Sequence, residues 1–82
     1  MDAHRVIFSK KQVKKKLKFN YQSCHTPSFY YVSHPESGNI VHKSVLKEGI
    51  DHEIGVEHLH SGIYNLIIID GEEIHKLQFE RI

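Results

Sequence analysis

Asp70-Gly71 stands between an aliphatic run, GIYNLIII (residues 62–69), and an alternating one, IHKLQF (residues 74–79). That arrangement commits the end of the chain to a β-hairpin, because Gly supplies the positive φ that a tight hairpin turn needs and the flanks have β character. In the returning strand Ile74, Lys76, Gln78 and Glu80 oppose His75, Leu77, Phe79 and Arg81, and its apolar face is expected at Leu77 and Phe79. The outgoing strand is apolar at consecutive positions, which predicts a central strand with both faces covered.

The same period of two extends upstream. Val13, Lys15, Leu17, Phe19 and Tyr21 fall on one face of a predicted strand, and Lys14, Lys16, Lys18 and Asn20 on the other. The aromatic, β-branched run SFYYVSH (residues 28–34) predicts a second strand, closed by PESGN. NIVHKSVL then predicts a third, with Ile40, His42 and Ser44 opposite Val41, Lys43 and Val45, so that the two form a hairpin. A short strand is expected around residues 52–56, and HRVIF (residues 4–8) adds a further candidate. No window of a dozen residues keeps a helical period. Short strands about ten residues apart with turn signals between them predict a single all-β domain over residues 1–82, an antiparallel β-sandwich of six or seven strands.

Composition narrows the chemistry. In 82 residues, 11 Lys and Arg against 10 Asp and Glu give a net charge of +1, so the chain as a whole has no field to draw in nucleic acid or an anionic membrane. The local exception is KKQVKKKLK, with six lysines, Lys10, Lys11, Lys14, Lys15, Lys16 and Lys18. On a strand, Lys14, Lys16 and Lys18 form a basic stripe about 13 Å long, able to meet phosphates or an acidic partner surface. On an edge strand, lysines also discourage unwanted sheet pairing, and that is the favoured reading. Nucleic-acid binding would add exposed aromatics beside the stripe, whereas Phe19 and Tyr21 fall on the opposite face.

A lone cysteine, Cys24, excludes an intramolecular disulfide and leaves the compartment open. The first dozen residues hold no apolar stretch of signal-peptide length, so the expectation is a cytoplasmic protein or one whose leader was removed, which would place it outside the cytoplasm. There is no G-x-S-x-G context and no glycine-rich phosphate loop, Glu72 and Glu73 fall at the hairpin turn as solvated charge, and no catalytic residue or cofactor is expected. Among eight histidines, His58 and His60 would share one face of a strand and could meet His52, Glu57 or His42 around a transition metal, although no zinc-motif spacing is present and no metal site is expected.

The segment from Ser28 to the end, with ESGNIVHKSVL followed by EIGVEHLHSGIYNLIIIDGEEIHKLQF, resembles the C-terminal sorting domains of proteins exported by the type IX secretion system of Bacteroidetes. Leu59, Gly62 and Tyr64 match the L-x-x-G-x-Y element of those domains, and Gly38 and Val41 match the preceding hairpin. The opening strand LKFNY also resembles that of small secreted Bacteroides proteins of immunoglobulin-like fold. The resemblance implies an immunoglobulin-like sandwich without catalytic activity, secreted, periplasmic or at the cell surface. Its partner would be a protein, either the secretion apparatus or a surface protein, and its free edges would allow a homo-oligomer. Independently of any family, Gly62 would supply a positive φ or a close backbone approach, and Tyr64 would lay its ring on the core with its hydroxyl on a backbone carbonyl.

Overall fold

The computed structural model describes residues 6–8, 10–23 and 27–82, so Cys24 lies outside the described residues. These are β1 (Ile7–Phe8), β2 (Gln12–Val13), β3 (Lys16–Asn20), β4 (Phe29–Ser33), β5 (Ile40–Val45), β6 (Asp51–Gly55), β7 (Gly62–Asp70) and β8 (Glu73–Arg81), and the described residues form no helix. The strands make two sheets, a small one of order β1-β3-β6 and a large one of order β2-β8-β7-β4-β5. β1 lies at the edge of the small sheet and β2 at the edge of the large one, and counted together as one N-terminal strand they bring the total to seven. The fold is therefore an all-β sandwich of seven strands, as the periodicity predicts.

Two expectations about pairing need correction. The pairing is not antiparallel throughout, since β2 runs parallel to β8 with Gln12 opposite Glu80 and Val13 opposite Arg81. A strand that joins a new sheet at its edge is not tied to its neighbour by a hairpin, so nothing imposes antiparallel order. The predicted strand from Val13 to Tyr21 is not continuous either. β2 belongs to the large sheet and β3 to the small one, so the chain bends at Lys14 and Lys15 between them. Lys15 is consequently exposed, while Val13, Leu17, Phe19 and Tyr21 are buried.

Both hairpins form where turn chemistry puts them. β7 and β8 pair from Gly62 opposite Arg81 to Asp70 opposite Glu73, leaving Gly71-Glu72 as the two-residue loop. Gly71 has φ 63°, and as the first of the two loop residues it takes the position where a type II′ turn demands glycine. In the β4–β5 hairpin the register shifts between Val32 and Ser33, so Ser33 faces Ile40 while Val32 faces His42. This bulge breaks the predicted alternation of β5: Val41 packs against the core, and Ile40 is exposed.

One hydrophobic cluster fills the space between the sheets. Leu17, Phe19 and Ile54 come from the small sheet, Val32, Tyr64, Leu66, Ile68 and Phe79 from the large one, and Val56 and Leu59 from the connection between β6 and β7. Burying a side chain of this kind contributes roughly 1.5–3 kcal/mol, and about a dozen of them hold a domain whose size limits its core.

Two polar devices join the sheets. The Tyr64 hydroxyl donates to the His60 carbonyl at 2.7 Å, four residues upstream, while its ring stacks on Phe79 with centroids 5.8 Å apart. This is the tyrosine corner of Greek-key sandwiches, and it pins the crossing from β6 to β7. Gly62 within it has φ 153° with open space around its Cβ position, so conformation and not close approach calls for glycine there. At the opposite end of β7, the buried carboxylate of Asp70 accepts from the Tyr21 hydroxyl at 2.6 Å and the Ser28 hydroxyl at 3.0 Å, linking the exits of both sheets.

Candidate interaction surface

In a two-sheet sandwich one parity of each strand faces the core and the other faces outward. The register gives the outward residues of the large sheet row by row. The first row reads Val45, Phe29, Ile69, Ile74 across β5, β4, β7 and β8. The second reads Lys43, Tyr31, Ile67, Lys76, and the third Ile40, Ser33, Asn65, Gln78. Ile63 opens the next row beside Glu80.

The first row is apolar from edge to edge. Val45 is 52% exposed, Phe29 45% and Ile74 67%, and Ile69, Tyr31 and Ile67 are half-buried. The expectation that both faces of the aliphatic run are covered is therefore corrected. Tyr64, Leu66 and Ile68 face the core, whereas Ile67 and Ile69 on the opposite parity are only half-buried. Exposed apolar residues scattered singly are ordinary, but a contiguous apolar row with polar residues around it marks a surface for association. Lys43 and Lys76 flank Tyr31 and Ile67 in the second row, Glu72 lies in the turn beyond the first, and in the third row Gln78 is exposed while Ser33 and Asn65 are buried.

The predicted basic stripe has a different setting. Lys16 and Lys18 are exposed on β3, opposite Gly55 and Glu53 of β6, and Asn20 is opposite Asp51. Lys16 Nζ lies 3.4 Å from Glu53, and Asn20 bonds to Asp51. Lys14 sits in the bend, outside the strand. β1 pairs with β3 only at Phe19 and Asn20, so among the described residues Lys16 and Lys18 have a strand beside them on the β6 side alone, and protection of that open edge still accounts for them. The cations are interleaved with carboxylates and make a mixed-charge surface.

The histidines disperse. His52 stacks on Phe19 at 5.1 Å between ring centroids, with its Nε2 2.8 Å from the Tyr21 carbonyl. His42 Nε2 lies 3.2 Å from the Tyr30 hydroxyl, and the His58 ring is 5.9 Å from that of His42. Residues 57–61 form a turn instead of a strand, so His58 and His60 do not share a sheet face. His60 faces an open groove of about 550 Å³ with His34, Ser61 and Gln78. Among the described residues, no three His, Cys, Asp or Glu side chains come together in a way that could hold a metal ion. Burial raises the Tyr30 phenol above its ordinary value of 10.0, with a hydrogen bond to Ser44 pulling the other way.

Sequence reasoning missed the large-sheet face, although a signal was present. Phe29, Tyr31, Ile67, Ile69 and Ile74 occupy the parity opposite the core residues of their own strands, and the sequence shows no helical period to supply a cover. No protein-family model matches the chain, and no curated protein is significantly similar to it.

Proposed function

We propose that this chain is a non-catalytic interaction domain that docks a protein partner on the outer face of its large sheet. The observation that carries this reading is the apolar row of Val45, Phe29, Ile69 and Ile74, whose edge members are about half or more exposed. A flat aliphatic and aromatic centre with a polar rim suits a protein surface. It offers no convergent polar groups to a small molecule.

The finer assignment is an immunoglobulin-like domain of an exported or surface protein, of the kind represented by type IX sorting domains. The strand order supports the first part. A small sheet of first, second and fifth strands faces a large sheet made of the third, fourth, sixth and seventh, with β1 at the edge of the one and β2 at the edge of the other. Leu59, buried beneath the corner, Gly62 with its positive φ and Tyr64 with its hydroxyl on His60 give the L-x-x-G-x-Y resemblance a physical basis. Partners of that class are the secretion apparatus or another surface protein.

The test is site-specific photo-crosslinking in the cell that makes the protein, together with fractionation. A crosslinker at Phe29 should capture a protein, one at Lys18 on the small sheet should not, and the product should leave the cytoplasm. Equal capture from both positions would remove the docking reading, and retention in the cytosol would remove the export reading.

A further inference from the structure

The small sheet sets carboxylates against its cations, and the large sheet does not. Lys16 Nζ lies 3.4 Å from Glu53 across the β3–β6 pair. Over the first three rows of the large sheet, the outward positions of β5, β4, β7 and β8 carry charge only at Lys43 and Lys76. Both are exposed, and among the described residues neither has an ion pair. The carboxylate of the next row, Glu80, is already engaged, accepting from Gln12 Nε2 at 2.9 Å. Beyond the first row the charges are mixed, with Lys47 and Glu48 following β5 and Glu72 in the β7–β8 loop.

The two unpaired cations fall on one line. Lys43 and Lys76 are the outer members of the second row, with Tyr31 and Ile67 between them. Three strand spacings, about 14 Å, separate their strands, and their row stands two residues, about 7 Å, from the apolar row of Val45, Phe29, Ile69 and Ile74. A single row of four strands covers about 130 Å² of sheet, against the roughly 800 Å² that a standard interface takes from each partner. A partner seated on the apolar row therefore extends over the lysines as well. Ammonium groups covered without a counter-charge oppose binding, whereas carboxylates set over them speed encounter and fix the register.

We infer that the partner protein is acidic where it meets this face, with an apolar ridge along Val45, Phe29, Ile69 and Ile74 and two carboxylates about 14 Å apart over Lys43 and Lys76. This rests on reading the face as a docking surface. A second copy of the chain brings its own lysines and lacks these carboxylates in the matching rows. An anionic membrane is a poorer match, because Glu48 and Glu72 border the same apolar row and would be pressed toward the headgroups.

Photo-crosslinking from Phe29 in the cell that makes the protein supplies the partner. Lys43→Glu and Lys76→Glu should each lower the adduct yield about 3- to 10-fold, while Lys43→Arg and Lys76→Arg hold it and Lys18→Glu, on the small sheet, leaves it unchanged. Both positions are exposed, so the variants should keep the circular dichroism of the parent chain. In the purified pair, a carbodiimide, which joins an amine to a carboxylate in contact with it, should link Lys43 and Lys76 to Asp or Glu of the partner. Adducts indifferent to both charge reversals, carbodiimide links missing from both lysines, or a Phe29 adduct with a second copy of the chain would each overturn the inference and leave the docking surface standing. Absence of any protein adduct from Phe29 would overturn the docking reading as well, and binding to phosphatidylserine vesicles that is lost in Lys43→Glu and Lys76→Glu would then assign the face to a membrane.

Discussion

The two outward faces of this sandwich are built from the same strand geometry and finished in opposite ways. On the small sheet, Lys16 and Lys18 stand across from Gly55 and Glu53. On the large sheet, Val45, Phe29, Ile69 and Ile74 stand in a row with Lys43 and Lys76 beside it. Water solvates the first face at little cost, so it needs nothing else. The second keeps apolar area in water at about 25 cal/mol per Å², a standing drive toward association. A core can be completed by the fold alone, whereas an apolar outer face is completed only by another surface.

The largest expected effect separates inside from outside on a single strand. Leu66→Ala should cost about 3–5 kcal/mol, because a fully buried leucine leaves a cavity between the sheets, and Ile67→Ala next to it only about 1 kcal/mol. Urea unfolding of both variants measures this, and equal losses would mean that the outer face is already covered. Next comes the link between the sheets. Asp70→Ala strips an acceptor from the Tyr21 and Ser28 hydroxyls and should cost about 2–3 kcal/mol in the same assay.

Reciprocal surface changes are smaller and sharpen the contrast. The Lys16–Glu53 pair lies 3.4 Å apart with both side chains about half exposed or more, so a double-mutant cycle should return less than about 1 kcal/mol and fade with salt. Ile74→Lys should likewise move monomer stability by no more than about 0.5 kcal/mol while raising solubility. A large loss of monomer stability at Ile74 would show that it belongs to the core.

The smallest effect is one of pH. A phenol whose folded pKa is raised contributes stability that is present below its unfolded value and lost as pH climbs through the folded one. Tyr30 is raised by burial from 10.0, so thermal midpoints should decline above about pH 10, and Tyr30→Phe should make that decline shallower. An unchanged slope would place the burial cost elsewhere.

Much of this was legible in the chain, for local reasons. Strands announced themselves by period two, Gly71 marked the β7–β8 turn through its positive φ, and Leu59, Gly62 and Tyr64 signalled a corner whose hydrogen bond spans only four residues. Leu17, Phe19, Tyr21 and Phe79 also declared themselves as core, since alternation in their strands fixes which parity is apolar. The functional surface was harder to see. In FYYV and NLIIID both parities are apolar, and the sequence pattern does not say which of them a second sheet will cover.

The sequence by itself thus determined the strands, their turns and the residues that must be buried, because propensity, turn conformation and alternation act between neighbours along the chain. Tertiary structure decided three things: the break at Lys14 and Lys15, the carboxylates set against the β3 lysines, and which apolar face stayed open. Each depends on which strand of the sandwich lies beside which, a choice made by long-range pairing between residues that the sequence holds far apart.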